Sequence, residues 1–275
     1  TGSERMKLRP ISSLVDALRN LGVAIEYTEK EGFPPILLTV DAVNRQQTTD
    51  NRQPTLSTTL HSTPSTLNSL EISAEQSSQF ASSLLLAAPL WKDGLELHLT
   101  GNLSSLPYID MTINMMRQCG VDVVRNDRDI IVKPGSYNIE NIKVEPDWSA
   151  AAFWYEMVSL SDDAEVLLKN LNINSLQADA TVIKMFESLG VETLPSKEGI
   201  VVKTVNGQQS TVNSQSSTFN FQLSTFNFKD CPDLFPAVIA ACAGNRVNAT
   251  FTGLKNLSIK ESDRKRAMMN ELSKI

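Results

Sequence analysis

An internal repeat constrains the fold of this chain more than any other feature. Each copy has apolar residues at helical spacing, then a glycine, then two alternating runs typical of a β-hairpin. The copies are RPISSLVDALRNLGVAIEYTEKEGFPPILLTV at 9–40, PYIDMTINMMRQCGVDVVRNDRDIIVKP at 107–134 and ADATVIKMFESLGVETLPSKEGIVVK at 178–203. In these copies Gly22, Gly120 and Gly190 are predicted to end the helix.

In the full repeat, a second helix-strand segment precedes the helix of these copies. It reads as a strongly apolar helix, a polar turn and a strand, at 79–102, 150–172 and 234–256. Joining the two segments gives a β-α-β-α-β-β unit. Helices that are apolar on nearly every side must be covered by neighbouring elements. The predicted fold class is therefore α/β, made of repeated units.

Two polar tracts interrupt the repeat. Gln46 to Asn68 and Asn206 to Thr218 have too few apolar residues to pack and are predicted to be insertions. The second STFNF, at 224–228, stands where the unit needs a strand. One unit ends and the next begins near Glu145, Pro146 and Asp147. We predict two domains, 1–145 with its insertion at 46–68 and 146–275 with its insertion at 206–218.

The composition limits the classes of function. A net charge of −6, with 41% hydrophobic and 20% charged residues, is ordinary for a globular protein and argues against a general nucleic-acid binder. The three cysteines lack metal-site or C-x-x-C spacing, and the two histidines lie in a polar tract and a predicted strand. No signal peptide or membrane-spanning run is present in the sequence. We expect a cytoplasmic protein without metal or membrane association.

Several short motifs resemble the 5-enolpyruvylshikimate-3-phosphate synthase family. They are TGSERMKLRP at the start, SSQF at 77–80, SSLPYID at 104–110, and CPDLFP with KESDR at 231–236 and 260–264. NSLQAD at 174–179 and DWSAAAF at 147–153 are similar too. The resemblance implies an enolpyruvyl transferase fold of two domains, each with three β-α-β-α-β-β units. On that count the chain holds the later part of one domain and the earlier part of the other, and we expect it to be truncated at both ends.

The resemblance also implies a reaction. The enolpyruvyl group of phosphoenolpyruvate moves to the 5-hydroxyl of shikimate 3-phosphate, and phosphate leaves, in the shikimate pathway of aromatic amino acid biosynthesis. The implied catalytic residues are Asp233 as the base, Glu261 as the proton donor to the methylene carbon, and Lys260. The implied substrate-binding residues are Ser77, Ser78, Ser105, Asn256 and Lys260 for the substrate phosphate, Gln79 for both substrates, Tyr108 near the ring, and Arg5 and Arg264 for phosphoenolpyruvate. No cofactor is implied.

Each of these residues also has a purely structural interpretation. Serines at a helix start can be plain N-caps, although the free N–H groups there also bind anions. Asp233 can be an N-cap aspartate. Lys260 and Arg264 have the i, i+4 spacing of one helix face, where two cations repel unless an anion lies between them. Asp263 is interpreted as orienting Arg264.

Two alternatives to the main hypothesis remain open. One is the related enolpyruvyl transferase acting on UDP-N-acetylglucosamine, although SSQF with KESDR fits the shikimate branch better. The other is a non-catalytic binding module of the same fold. The family's Lys-Ser, Arg and Asn-x-Gly groups have no counterpart in the sequence, so we expect the chain alone to be inactive. The full-length protein is expected to be a monomer that binds small molecules and no nucleic acid.

Overall fold

The structure is a computed structural model that describes residues 4–39, 67–75, 77–101, 103, 105–139, 141–205, 224–260 and 262–274. The chain forms two compact units. Unit 1 holds residues 1–103 and 115–138, and unit 2 holds residues 104–114 and 139–275. The predicted domain boundary between 145 and 146 stays a prediction.

Helices and strands follow the predicted alternation. The α-helices are α1 (Glu4–Lys7), α2 (Ser12–Asn20), α3 (Ser78–Ala87), α4 (Leu106–Gln118), α5 (Trp148–Ser159), α6 (Val182–Glu187), α7 (Phe235–Gly244) and α8 (Arg264–Leu272). The strands are β1 (Ala24–Tyr27), β2 (Ile36–Thr39), β3 (Asn68–Ser73), β4 (Leu95–Thr100), β5 (Val123–Asn126), β6 (Asp129–Val132), β7 (Glu165–Lys169), β8 (Val191–Ser196), β9 (Gly199–Thr204), β10 (Ser224–Asn227) and β11 (Ala249–Thr252). The order β3-α3-β4-α4-β5-β6 is one complete copy of the predicted unit.

The predicted helix stops are confirmed. Gly22, Gly120 and Gly190 have φ values of 83°, 82° and 79°, the left-handed conformation that ends a helix at its C′ position. Antiparallel strands follow each stop: β1 with β2, β5 with β6, and β8 with β9. The predicted strand in the second STFNF is also confirmed, as β10.

Unit 1 contains a mixed four-stranded sheet in the order β3-β4-β6-β5. β3 and β4 run parallel, whereas β6 is antiparallel to both of its neighbours. Alternate residues of β4 and β6 are buried, as expected for strands with one face on the core. The core residues of these two strands are Leu95, Leu97, Leu99, Ile130 and Val132.

Unit 2 is organised around an aromatic core. It contains the antiparallel sheet β7-β9-β8 and the parallel pair β10-β11. The rings of Tyr155 and Phe186 lie 5.6 Å apart, and Phe228 meets Phe235 edge-on at 5.4 Å. Trp148, at the start of α5, is fully buried in the same core. The first contact joins α5 to α6, the second joins α7 to the residue after β10, and all four rings belong to one buried cluster.

Helix α5 has an exposed side in unit 2. Phe153, Trp154 and Met157 are 49%, 47% and 49% exposed. The helix packs on α7 and the sheet through Ala152 and Tyr155, which lie on its other face. A helix that is apolar all round therefore has only one side buried in unit 2.

Part of the predicted insertions can be placed. Asn68 is the first residue of β3, so the insertion predicted at 46–68 extends too far. Residues 46–66 and the predicted insertion at 206–218 lie outside the described residues. Among the helices that the structure describes, none is long and apolar enough to cross a membrane.

We expect Gly94→Ala to lower the free energy of unfolding by about 2–4 kcal/mol. Gly94 has φ 63°, and a Cβ placed there would lie 2.3 Å from the carbonyl oxygen of Val132 and 3.0 Å from Pro134. Val132 is the last residue of β6, so its carbonyl cannot move away without disturbing the sheet, and Pro134 lies two residues beyond it. Urea unfolding followed by circular dichroism measures the loss.

Gly135→Ala is the matched control. A Cβ at Gly135 has no neighbour within 4 Å, so the change should cost less than about 1 kcal/mol. Equal losses in the two variants would contradict the proposed clash.

Candidate functional site

The predicted serine motif lies at the start of α3, in unit 1. Ser77 is the N-cap residue, and its Oγ accepts a hydrogen bond from the Gln79 N–H at 3.2 Å. Ser78 is 7% exposed, whereas Gln79 is exposed. Ser77 therefore has the cap role that its position predicts, and the helix dipole makes this end favourable for an anion. Arg5, also in unit 1, is half-buried in the short helix α1.

Ser105 and Tyr108 lie at the start of α4 and make their contacts within unit 2. Ser105 has φ 58°, a conformation that costs free energy for a residue other than glycine. Its N–H donates to Asp230 Oδ1 at 3.2 Å. The Tyr108 hydroxyl donates to Asp179 Oδ1, also at 3.2 Å. Two carboxylates from distant parts of the chain thus hold this helix end.

Asp233 is not a helix N-cap, so that structural alternative is wrong. It is the second residue of a 3-10 helix, Pro232–Leu234, whose N-cap is Cys231, and α7 follows. Its carboxylate instead forms an ion pair with Arg264, and Lys260 Nζ lies 3.9 Å from Asp233 Oδ1. All three side chains are about one-quarter to one-third exposed, so water screens the attraction between their charges less than it would at a fully exposed site.

The interpretation of Lys260 and Arg264 as neighbours on one helix face is wrong. Lys260 follows the 3-10 helix Lys255–Ile259 in an extended conformation, and Arg264 is the first residue of α8. Asp263 is the N-cap of α8 and accepts the Arg266 N–H at 3.0 Å, so its observed role is capping rather than orienting Arg264. The two cations nevertheless converge, because the carboxylate of Asp233 lies between them.

The two remaining predicted residues are Asn256 and Glu261. Asn256 is half-buried in the 3-10 helix that leads to Lys260. Glu261, the predicted proton donor, lies outside the described residues. Its role stays a prediction.

The sequence interpretation missed Asp179, whose side chain is buried among the predicted site residues. It is 2% exposed and accepts hydrogen bonds from Tyr108 and from the Ser149 hydroxyl. Burial raises the pKa of Asp179, Asp233 and Asp147 raise it further, and the two hydroxyl donors lower it. Burial, with Asp179 and Asp233, also holds the pKa of Tyr108 far above its usual range.

Cys231 and Asp230 line a cavity of about 300 Å³ in unit 2, together with Pro107 and Asn227. Burial raises the pKa of the Cys231 thiol to about 12, with smaller contributions from Asp179, Asp230 and Asp233. A thiol with such a pKa is almost wholly protonated at neutral pH and is a poor nucleophile. In the part of the chain that the structure describes, no group of three or more His, Cys, Asp or Glu side chains could hold a metal ion.

The arrangement in unit 2 suits acid–base chemistry on an anionic substrate. Lys260 and Arg264 supply positive charge in a partly buried place, where charges interact more strongly than in water. Asp233 supplies a carboxylate between them that can accept a proton. A guanidinium carries five N–H donors in a planar fork, so one arginine can bind both Asp233 and a carboxylate or phosphate.

Comparisons with known proteins give a consistent result. The family model described as EPSP synthase (3-phosphoshikimate 1-carboxyvinyltransferase) matches residues 1–275. A Bacteroides fragilis 3-phosphoshikimate 1-carboxyvinyltransferase is 36% identical over 276 residues, which are 100% of this chain and 59% of that protein. A Vibrio vulnificus protein of the same name is 31% identical over 278 residues, 100% of this chain and 56% of the relative. The chain therefore spans less than two-thirds of the length of these relatives.

A solved structure supports the fold. The EPSP synthase from Acinetobacter baumannii superposes with a TM-score of 0.60 at 22% identity, covering 98% of this chain and 54% of that one. This likeness agrees with the repeated α/β units predicted from the sequence. From the match of the family model over its whole length, the chain belongs to the EPSP synthase (3-phosphoshikimate 1-carboxyvinyltransferase) family.

Proposed function

We propose that the protein containing this chain transfers the enolpyruvyl group of phosphoenolpyruvate to the 5-hydroxyl of shikimate 3-phosphate and releases phosphate. Family membership supports the reaction class. The observation that carries the assignment of roles is the position of Asp233 between Lys260 and Arg264. Two cations can hold two polyanionic substrates together, and a carboxylate beside them can take the proton of the attacking hydroxyl.

The proposed roles follow the chemistry of the groups. Asp233 takes the proton of the 5-hydroxyl while the hydroxyl oxygen bonds to the central carbon of phosphoenolpyruvate. Glu261 gives a proton to the methylene carbon. Loss of a proton from the resulting methyl group and departure of phosphate then restore the double bond. Lys260 binds the substrate and stabilises the developing alkoxide, and Arg264 binds phosphoenolpyruvate.

The other predicted contacts belong to the same proposal. Ser77, Ser78 and Ser105 bind the substrate phosphate with Asn256, and Gln79 contacts both substrates. The helix-start position of Ser77 supports this assignment, because N–H groups at the start of a helix attract phosphate. Arg5 also binds phosphoenolpyruvate, and Tyr108 lies beside the ring of shikimate 3-phosphate.

We place the protein in the cytoplasm as a monomer. The three cysteines are free thiols, as is usual for proteins of a reducing compartment. Neither a metal ion nor an organic cofactor takes part in the proposed reaction.

We expect Asp233→Asn, made in the full-length protein that carries this chain, to lower kcat by about 10²–10⁴. The amide keeps the shape and the contact with Arg264 but cannot accept a proton from the hydroxyl. The KM for shikimate 3-phosphate should change little. Steady-state phosphate release measures both constants.

Asp263→Asn is the matched control, since it removes a carboxylate from the same region and keeps the cap of α8. Its kcat should stay within about threefold of the parent, because an asparagine caps a helix as well as an aspartate. A loss under tenfold for Asp233→Asn in a folded protein would mean that another residue is the base.

A binding measurement tests the substrate class. By calorimetry the same full-length protein should bind shikimate 3-phosphate, and Lys260→Met should weaken binding by about tenfold or more, because a charged hydrogen bond to the phosphate is lost. Lys265→Met, which removes an exposed charge of α8, should have little effect. Binding of UDP-N-acetylglucosamine in place of shikimate 3-phosphate would favour the alternative transferase.

A further inference from the structure

We propose that Asp179 is a positioning residue that fixes the ring of Tyr108 in the substrate site through a buried hydrogen bond. The proposal deepens the proposed function and rests on it. In this arrangement the hydroxyl of Tyr108 donates its hydrogen bond to Asp179. Tyr108 therefore meets the substrate with its ring, as a packing surface, and takes no part in proton transfer.

The geometry brings together three separate segments of unit 2. Tyr108 is the third residue of α4, Ser149 the second residue of α5, and Asp179 lies in the 3-10 helix Ala178–Thr181. Each oxygen of Asp179 accepts one hydroxyl: Oδ1 accepts Tyr108, and Oδ2 accepts Ser149. The carboxylate is thus the shared acceptor for two helix starts.

The electrostatic cost of this arrangement argues that it has a role beyond packing. Asp179 is 2% exposed, and the described residues place no lysine or arginine in an ion pair with it. Two further carboxylates, Asp233 and Asp147, repel it. Burying a charge without a cation is expensive, and an apolar residue of similar size would avoid the cost.

Tyr108 lies close enough to Asp233 for the two groups to interact electrostatically. The hydroxyl oxygen of a tyrosine lies on the long axis of its ring, so a hydrogen bond there fixes the direction of the side chain and the position of the ring. A substrate ring that packs on Tyr108 then meets it at a fixed place beside the proposed base. Orientation of this kind lowers KM and, through proximity, assists the chemical step.

The first test is a double-mutant cycle on binding of shikimate 3-phosphate, measured by calorimetry in the full-length protein. Asp179→Ala should weaken binding by about tenfold in the parent, because the ring loses its anchor. In the Tyr108→Phe background, where the bond is already absent, Asp179→Ala should change binding by less than about twofold. Asp179→Asn should bind within about threefold of the parent, because the amide oxygen still accepts the tyrosine hydroxyl.

The outcomes separate this inference from the proposed function. If the parent does not bind shikimate 3-phosphate, the proposed function fails. If the parent binds it and Asp179→Ala weakens binding equally in both backgrounds, Asp179 has only a general structural role and this inference is overturned. Should Asp179→Ala not fold, Tyr108→Phe alone still decides: unchanged binding would overturn the inference.

The second test uses the pH dependence of stability. The pKa of Asp179 is raised in the folded protein above its ordinary value of 3.8, so the stability linked to its protonation is fully present below that value and is lost as pH rises through the folded pKa. Asp179→Asn removes this loss. The variant's unfolding midpoint in urea, relative to the parent, should therefore be higher at pH 8 than at pH 4.

Asp162→Asn, a change of an exposed carboxylate, controls for the loss of one negative charge. An equal pH effect in Asp162→Asn and Asp179→Asn would mean that the pKa of Asp179 is not raised in the folded protein, and the electrostatic cost from which we infer a role for Asp179 would then be absent.

Discussion

The structure depends on the need to bury helices that are apolar on almost every side. A single β-α-β-α-β-β unit covers only part of such a helix, so neighbouring units must supply the rest. In unit 2 the inner side of α5 is buried against α7, and the rings of Tyr155, Phe186 and Phe228 belong to the same core. Because the helices are fixed by their apolar sides, their ends are fixed too, and the polar chemistry of the chain is concentrated at those ends.

The helix starts carry most of the proposed functional groups. Backbone N–H groups that have no partner within the helix make each start weakly positive, which favours carboxylates of the protein and phosphates of a ligand alike. The residues at or beside helix starts are Ser77, Ser105, Tyr108, Asp147, Ser149, Asp233 and Asp263. Some of these carboxylates are caps and others are not, and the difference lies in their partners: Asp263 accepts a backbone N–H, whereas Asp233 faces two cations.

Much of the fold could be predicted from the sequence because its signals are local. The stop glycines and the alternating strands act within a few residues of themselves. The predicted placement of Lys260 and Arg264 on one helix face was wrong because it relied on charge spacing alone. Asp263, directly before Arg264, is the residue whose type indicates a helix start. Asp179 could not be found from a local pattern, since its hydroxyl partners lie 71 and 30 positions away.

The uneven burial of α5 has a spectroscopic consequence. Trp148 is fully buried at one end of this helix, and Trp154 is about half exposed less than two turns away. Indole emission shifts to the red in water, so Trp148 reports on the buried environment of this helix and Trp154 on its exposed side. Any molecule that covers the outer side of α5 will shift the emission of Trp154 to the blue and leave that of Trp148 unchanged.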